Sequence, residues 1–284
     1  MSTSELPASP FRPDLFAGQV AFVTGGATGI GKEICRVLGR HGARIAIMSR
    51  KQEALDAAAE ELRGEGLEVW VRSCDVRDAA GVAEAVQALV DHHGRLDIVV
   101  NNAAGNFPAP MSKISPNGFK SVVDIDLLGT YNVSKAAFET WLRDHGGNVV
   151  NITAPYEMKG AALQAHVAAA KAGVDSLTRT CAVEWGQHGI RVNAIAPGAI
   201  ANTEGVRRFA AAVPGSSGSG ETDQSQKPAR PRNPVGVVGH GNDIAYMLLY
   251  LCSPAARFVS GQVIEVDGAG SVDQLKIDLS AFGA

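Results

Sequence analysis

A chain of 284 residues, 45% hydrophobic and 19% charged, has the apolar content for a sizeable core and is neither disordered nor fibrous. Its 26 Lys and Arg against 29 Asp and Glu give a formal charge of −3, without the basic excess of a nucleic-acid binder. The 4 cysteines, Cys35, Cys74, Cys181 and Cys252, form no Cys-x-x-Cys pair, so reduced thiols are expected rather than a metal site or a disulfide framework.

In chain order, short β-branched runs at 20–24, 44–48, 69–74, 98–101, 148–153, 191–196 and 262–266 predict strands. Most are near-continuous apolar runs, as a parallel sheet covered on both faces requires. Helical patterns fall between them near 29–41, 51–65, 78–93, 117–144, 160–187 and 241–252. This alternation predicts an α/β fold: a single Rossmann-type domain over 1–284, with a doubly wound sheet of about seven parallel strands and helices on both faces. Residues 213–234, rich in Ser, Gly, Pro and charge, cannot pack a core. Because ligands bind beyond the carboxyl ends of such strands, the stretch at about 203–234 is expected to be a mobile substrate-side loop.

No run approaches the roughly 20 apolar residues of a membrane span. The first residues lack a basic region followed by an apolar one, and the final Ala-Phe-Gly-Ala is not a Ser-Lys-Leu type address. A cytoplasmic protein is expected, with neither membrane nor nucleic acid as partner.

Between strand one and helix one stands Thr24-Gly25-Gly26-Ala27-Thr28-Gly29-Ile30-Gly31. Glycines there tighten the turn, admit a pyrophosphate to the backbone and let helix pack on strand. The helix N-terminus supplies free N–H groups for phosphate. This placement points to a dinucleotide site, with Gly25, Thr28, Gly29, Ile30 and Gly31 as cofactor contacts. At the end of strand two, Ser49-Arg50-Lys51 takes the place where an NAD enzyme carries an acid. A guanidinium suits a 2′-phosphate, so NADP(H) is expected, held by Arg50 and Lys51.

With Asn101-Asn102-Ala103-Ala104-Gly105 after strand four and Pro197-Gly198 after strand six, the chain resembles the short-chain dehydrogenase/reductase family over about residues 16–270. The resemblance implies adenine contacts at Asp75 and Val76. It implies further cofactor contacts at Asn102, Ala103, Ala104, Lys171, Pro197, Gly198, Ile200 and Thr203, and a homodimer or homotetramer built through two long helices. The family's Tyr-x-x-x-Lys puts both side chains on one helix face. Lys171 fits, but Val167 holds the tyrosine position. His166 lies about 140° from Lys171 around an ideal helix, so it cannot simply replace a tyrosine and reads as lining the cleft or an interface.

The departures are themselves similar to one branch of the family. Asn102-Ala103-Ala104-Gly105-Asn106-Phe107, Asp124-Ile125-Asp126-Leu127-Leu128-Gly129-Thr130, Asp144-His145-Gly146-Gly147 and Thr203-Glu204-Gly205 resemble 2,4-dienoyl-CoA reductases, the peroxisomal type above all. That resemblance implies NADPH-dependent reduction of 2,4-dienoyl-CoA to 3-enoyl-CoA in the degradation of unsaturated fatty acids. Hydride at C5 sends charge to the thioester oxygen and a proton arrives at C2, so donors must face the oxygen and an acid or ordered water must lie near C2. The resemblance assigns Lys171 to the nicotinamide ribose, Asp126 to a water, and Asp267 to the same network. Tyr156, fifteen residues before Lys171, matches a tyrosine of the mitochondrial branch that bonds the thioester oxygen. Arg50, Arg77, Phe107, Ser115, Pro116, Asn117 and Arg208 would hold the acyl-CoA. Reduction of a 2-enoyl-CoA or a 3-oxoacyl thioester, or a catalytically silent nucleotide-binding module, stand as alternatives.

Overall fold

Seven parallel strands lie in the order β3-β2-β1-β4-β5-β6-β7 in the computed structural model. It describes residues 8–155, 160–212 and 233–272. The strands are β1 (Val20–Thr24), β2 (Arg44–Ser49), β3 (Val69–Ser73), β4 (Ile98–Asn101), β5 (Gly147–Ile152), β6 (Ile190–Pro197) and β7 (Val263–Val266). Each falls where an apolar run placed it. The continuity of those runs has a direct cause. Along β1, Ala21 and Val23 enter one buried cluster while Val20 and Phe22 enter the other, so both faces need apolar side chains.

Helices α1 (Gly29–Arg40) and α2 (Gln52–Gly64) supply the first cluster with Ile34, Leu38, Leu55 and Leu62. On the opposite face, α3 (Ala79–His93) brings Val82, Val86 and Leu89. After β4 come α4 (Pro116–Val123), a π-helical turn at Asp124–Leu128, α5 (Gly129–Ala137), a second π turn at Phe138–Leu142 and α6 (Arg143–His145). The single helix expected near 117–144 is thus one helical run interrupted twice by a widened turn. Such π turns rotate the residues beyond them out of the α register.

The next helix, α7 (Ala165–Trp185), begins later than the 160–187 pattern indicated. Leu163 has φ of 67°, a left-handed conformation that no α-helix accommodates, so the small residues at 160–162 belong to the approach and not to the helix. After β6, α8 (Glu204–Ala212) stands inside the stretch read as a loop. Glu204 pairs with Arg208 at 2.9 Å and Arg207 at 3.4 Å, the spacing that supports an exposed helix. Residues 213–232 lie outside the described residues. Helix α9 (Gly241–Cys252) closes the first cluster with Ile244, Leu248 and Leu249. Among the described residues no helix is long and apolar enough to cross a membrane.

The strand order reverses between β1 and β4, the point at which a doubly wound sheet opens a crevice beyond its carboxyl edge.

Candidate active site

The crevice is set by one asparagine. Asn102, just past β4, donates from Nδ2 to the carbonyls of Thr24 at 3.0 Å and Gly25 at 3.2 Å, which fastens the turn after β4 to the turn after β1. Thr24 Oγ1 completes the joint by accepting from the N–H groups of Asn102 and Ala103. Gly31 faces this joint so closely that a Cβ would stand 2.4 Å from Asn102 Nδ2. At the start of α1, Thr28 makes no side-chain capping bond and no acid occupies the first turn. The first N–H groups of that helix are therefore left to an anion, which fits a pyrophosphate.

A cleft of about 490 Å³ opens there, lined by Thr28, Gly29, Ile30, Ile200 and Thr203 among others. The structure thus brings together two groups of predicted cofactor contacts from opposite ends of the chain. Asn202, Arg207, His240 and Asn242 also line it, and no local signal in the sequence marks them. They arrive because the chain leaving β6 passes α1 and α9.

Asp75, beyond the end of β3, gathers two arginines. Arg77 donates to it at 2.6 Å, and an Arg50 nitrogen lies 3.8 Å away. Hydrogen bonding from Arg77 holds the Asp75 carboxyl below the usual carboxylate range. Val76 is buried against α5, where it would meet a Cβ on Gly129 at 2.6 Å, and its carbonyl accepts from Asn132 Nδ2. Arg50 and Arg77 therefore stand together on Asp75, the position read as an adenine contact.

Asp126 sits within the first π turn and is 1% exposed. Its Oδ1 accepts from the Gly105 N–H at 2.7 Å, and the Lys171 Nζ lies 3.3 Å from its Oδ2. Lys171, on α7, is itself buried and donates to the Ile152 carbonyl at 2.8 Å. A buried carboxylate and a buried ammonium face each other at the carboxyl end of β5. Beneath them Asn101 Nδ2 donates to Ser134 Oγ and to Asn151 Oδ1, and Asn151 Nδ2 to Thr178 Oγ1, so a polar chain ties β4, β5, α5 and α7 under the pair, with Asn101 Oδ1 left without a partner among the described residues. Such networks rigidify what stands on them.

Phe107 packs edge to face on His166, ring centroids 4.4 Å apart. Arg208 crosses from α8 and donates to the Asn106 carbonyl at 2.9 Å. Ser115 caps α4 by accepting from the Gly118 N–H, with Pro116 in the first turn and Asn117 after it. Asp267 is spent locally: its carboxylate accepts from the N–H groups of Ala269 and Ser271, and it joins neither Asp126 nor Lys171 by a hydrogen bond or ion pair. Its Cβ packs where a side chain on Gly198 would have to go. Tyr156 lies outside the described residues.

Among the described residues no cluster of three or more side chains could hold a metal ion. Burial pushes the Cys181 thiol up to about 11 and raises those of Cys35 and Cys252 further, so none is a ready thiolate nucleophile.

Residues 25–270 match a family model described as enoyl-(acyl carrier protein) reductase. The chain is 46% identical over 259 residues to a peroxisomal 2,4-dienoyl-CoA reductase of Rattus norvegicus, covering 91% of this chain and 85% of that protein. Its identity to the peroxisomal 2,4-dienoyl-CoA reductase of Arabidopsis thaliana is 42% over 269 residues, covering 92% and 87%. Among solved structures it resembles a variant of actinorhodin polyketide ketoreductase with NADPH, at a TM-score of 0.81 and 31% identity, covering 89% of this chain and 97% of that one.

Proposed function

The chain belongs to the short-chain dehydrogenase/reductase family, and from that premise we propose that it reduces 2,4-dienoyl-CoA to 3-enoyl-CoA with NADPH in the degradation of unsaturated fatty acids. The observation that carries this reading is the buried Asp126–Lys171 pair in a site where Val167 takes the place of the family's tyrosine. Ketone reduction needs a proton delivered to the oxygen beside the hydride acceptor. A dienoyl thioester does not, since its charge moves along the conjugated system to a remote oxygen and the proton is added at carbon.

NADPH, when bound, supplies the hydride for C5. The C4=C5 pair then becomes C3=C4, the C2=C3 pair becomes C1=C2, and the carbonyl pair moves onto oxygen. Collapse of this dienolate takes up one proton at C2 and leaves the double bond at C3=C4. Asp126 holds and orients the water that delivers that proton. The ammonium of Lys171 has three N–H groups, one given to Ile152 and one facing Asp126, which leaves one for the nicotinamide ribose. Phe107 and Arg208 border the acyl-CoA path, and Ser115-Pro116-Asn117 shape its far wall. Asp267, packed against Gly198 beyond the end of β6, belongs to the same water network.

The test is NADPH consumption with 2,4-hexadienoyl-CoA and location of the product double bond by NMR. A product unsaturated at C3 is expected, and absence of turnover would defeat the reading. The family model's description favours a second substrate class, 2-enoyl thioesters, so a 2-enoyl-CoA is run in parallel. A silent nucleotide-binding module would consume NADPH with neither, and the retained buried ion pair speaks against it.

Arg50 and Arg77, side by side on Asp75, favour NADP(H) over NAD(H) by offering guanidinium donors to a 2′-phosphate. Arg77 supports the cofactor here as well as the CoA role expected of it. Arg50→Asp is expected to weaken NADPH by about tenfold or more while leaving NADH little changed. Fluorescence titration of both cofactors decides, and equal affinities in the unmodified protein would overturn the preference.

Tyr131 on α5 and Val183 on α7 are exposed apolar residues on the two helices through which the family associates, and Phe258 is 96% exposed. They support a homodimer or homotetramer. Light scattering at micromolar concentration is expected to exclude a monomer. The free cysteines suit a reducing compartment, in keeping with a cytoplasmic enzyme. Fluorescence microscopy of the tagged chain tests that placement against the peroxisome named for its relatives.

A further inference from the structure

The first turn of α7 carries polar groups that the site described so far does not use. His166 is wholly buried, yet neither Nδ1 nor Nε2 has a hydrogen-bond partner among the described residues. A neutral imidazole holds one N–H and one lone pair, and buried polar atoms of this kind are nearly always paired. The ring rests on Phe107. The loop bearing Phe107 is fixed at both ends: Gly105 N–H donates to Asp126 Oδ1, and Ala109 N–H donates to the Leu163 carbonyl at 3.1 Å. Among the described residues, Asn106 Oδ1 and Gln164 Oε1 on the same two segments are buried and accept no hydrogen bond, and Asp126 Oδ2 meets the Lys171 ammonium at 3.3 Å. This corner is polar, and the loop through Gly105 joins the aromatic Phe107 to Asp126.

With a rise of about 1.5 Å per residue, His166 stands about 7.5 Å along the α7 axis from Lys171. Lys171 is engaged by Asp126 and Ile152, and Val167 supplies no hydroxyl. Among the described residues of this corner, the buried ring with unpaired nitrogens is that of His166.

We propose that His166 is the donor to the acyl thioester oxygen, and hence a catalytic residue of this enzyme. Its N–H hydrogen-bonds the carbonyl oxygen in the bound substrate and more strongly the oxyanion of the dienolate. The proton stays on nitrogen throughout, and the proton gained at C2 comes from water held by Asp126. The proposal rests on the dienoyl-CoA reading. It adds to it the group that replaces a tyrosine hydroxyl, from the neighbouring helix position and hence from a different angle.

His166→Phe keeps the ring on Phe107 and removes both nitrogens. It is expected to lower kcat on 2,4-hexadienoyl-CoA by about a hundredfold, with the NADPH Kd and melting temperature little changed. His166→Gln, which returns an N–H, is expected to recover about tenfold of that loss. Should His166→Phe fail to fold, His166→Met against His166→Gln makes the same comparison. A second arm titrates the NADP⁺-loaded protein with 2,4-hexadienoyl-CoA and with the corresponding thioether, which lacks the carbonyl oxygen. The unmodified protein should prefer the thioester, and His166→Phe should bind both alike.

A His166→Phe variant with undiminished kcat, or with the thioester preference intact, overturns the proposal. An unmodified protein that turns over no dienoyl-CoA counts against the reaction itself. The titration then tests His166 alone, and equal affinity of the unmodified protein for the two ligands overturns the assignment.

Discussion

Lys171→Ala is expected to lower kcat by about a thousandfold and to cost ~3–5 kcal/mol of stability at neutral pH, because it strands a buried carboxylate. Asp126 is 1% exposed and would keep only the Gly105 N–H as a partner. The stability loss is read by urea unfolding and the rate loss by single-turnover oxidation of NADPH. Asp126→Asn separates the two effects. The amide oxygen can still accept from Gly105, so the fold and the cofactor site should persist, while a water at C2 loses its anionic anchor and turnover falls by about a hundredfold. Undiminished turnover in Lys171→Ala would remove the ion pair from the mechanism altogether.

Gly31→Ala is expected to abolish useful NADPH binding, raising Kd by about a hundredfold or more, with ~1–3 kcal/mol of destabilisation from overpacking. The added Cβ would stand 2.4 Å from Asn102 Nδ2 and 2.5 Å from the Gly25 carbonyl, and the side chain it meets is the one that joins the two turns. Relief requires Asn102 to leave Thr24 and Gly25, which opens the crevice. Gly64→Ala, at the end of α2 and away from the cleft, is the control. A new Cβ there meets nothing within 4 Å, so cofactor affinity and stability should both stay close to those of the unmodified protein. Fluorescence titration of both variants tests the difference, and wild-type affinity in Gly31→Ala would mean that the joint at Asn102 does not shape the cofactor site.

Much of the scaffold was legible because its signals are local. Val20, Ala21, Phe22 and Val23 announce a strand buried on both faces, and a glycine-rich turn before a helix announces a phosphate cradle. Lys171 was legible for the same reason, as one member of a short spaced motif. Leu163 shows the limit: nothing in Gly160-Ala161-Ala162-Leu163 discourages a helix, and it is the bond from Ala109 to the Leu163 carbonyl, made by a distant loop, that accompanies the left-handed turn. Asp267 shows another. Its place after the last strand matches an aspartate of the reductases, and only the folded turn shows that its carboxylate also accepts from the Ala269 and Ser271 N–H groups.

The sequence by itself determined the parallel sheet, the glycine cradle, the basic residue in the acid's usual place and the loss of the tyrosine, since each is written in residues that are neighbours along the chain. Only the tertiary structure decided which groups meet. It set Arg77 beside Arg50 on Asp75, closed Asp126 onto Lys171 through a π turn, and buried His166 against Phe107 with its nitrogens unpaired. The reason is physical: hydrophobic periodicity fixes which face of an element is buried, but the meeting of two side chains depends on crossover, register and the rotation added by a widened helical turn, none of which a local pattern encodes.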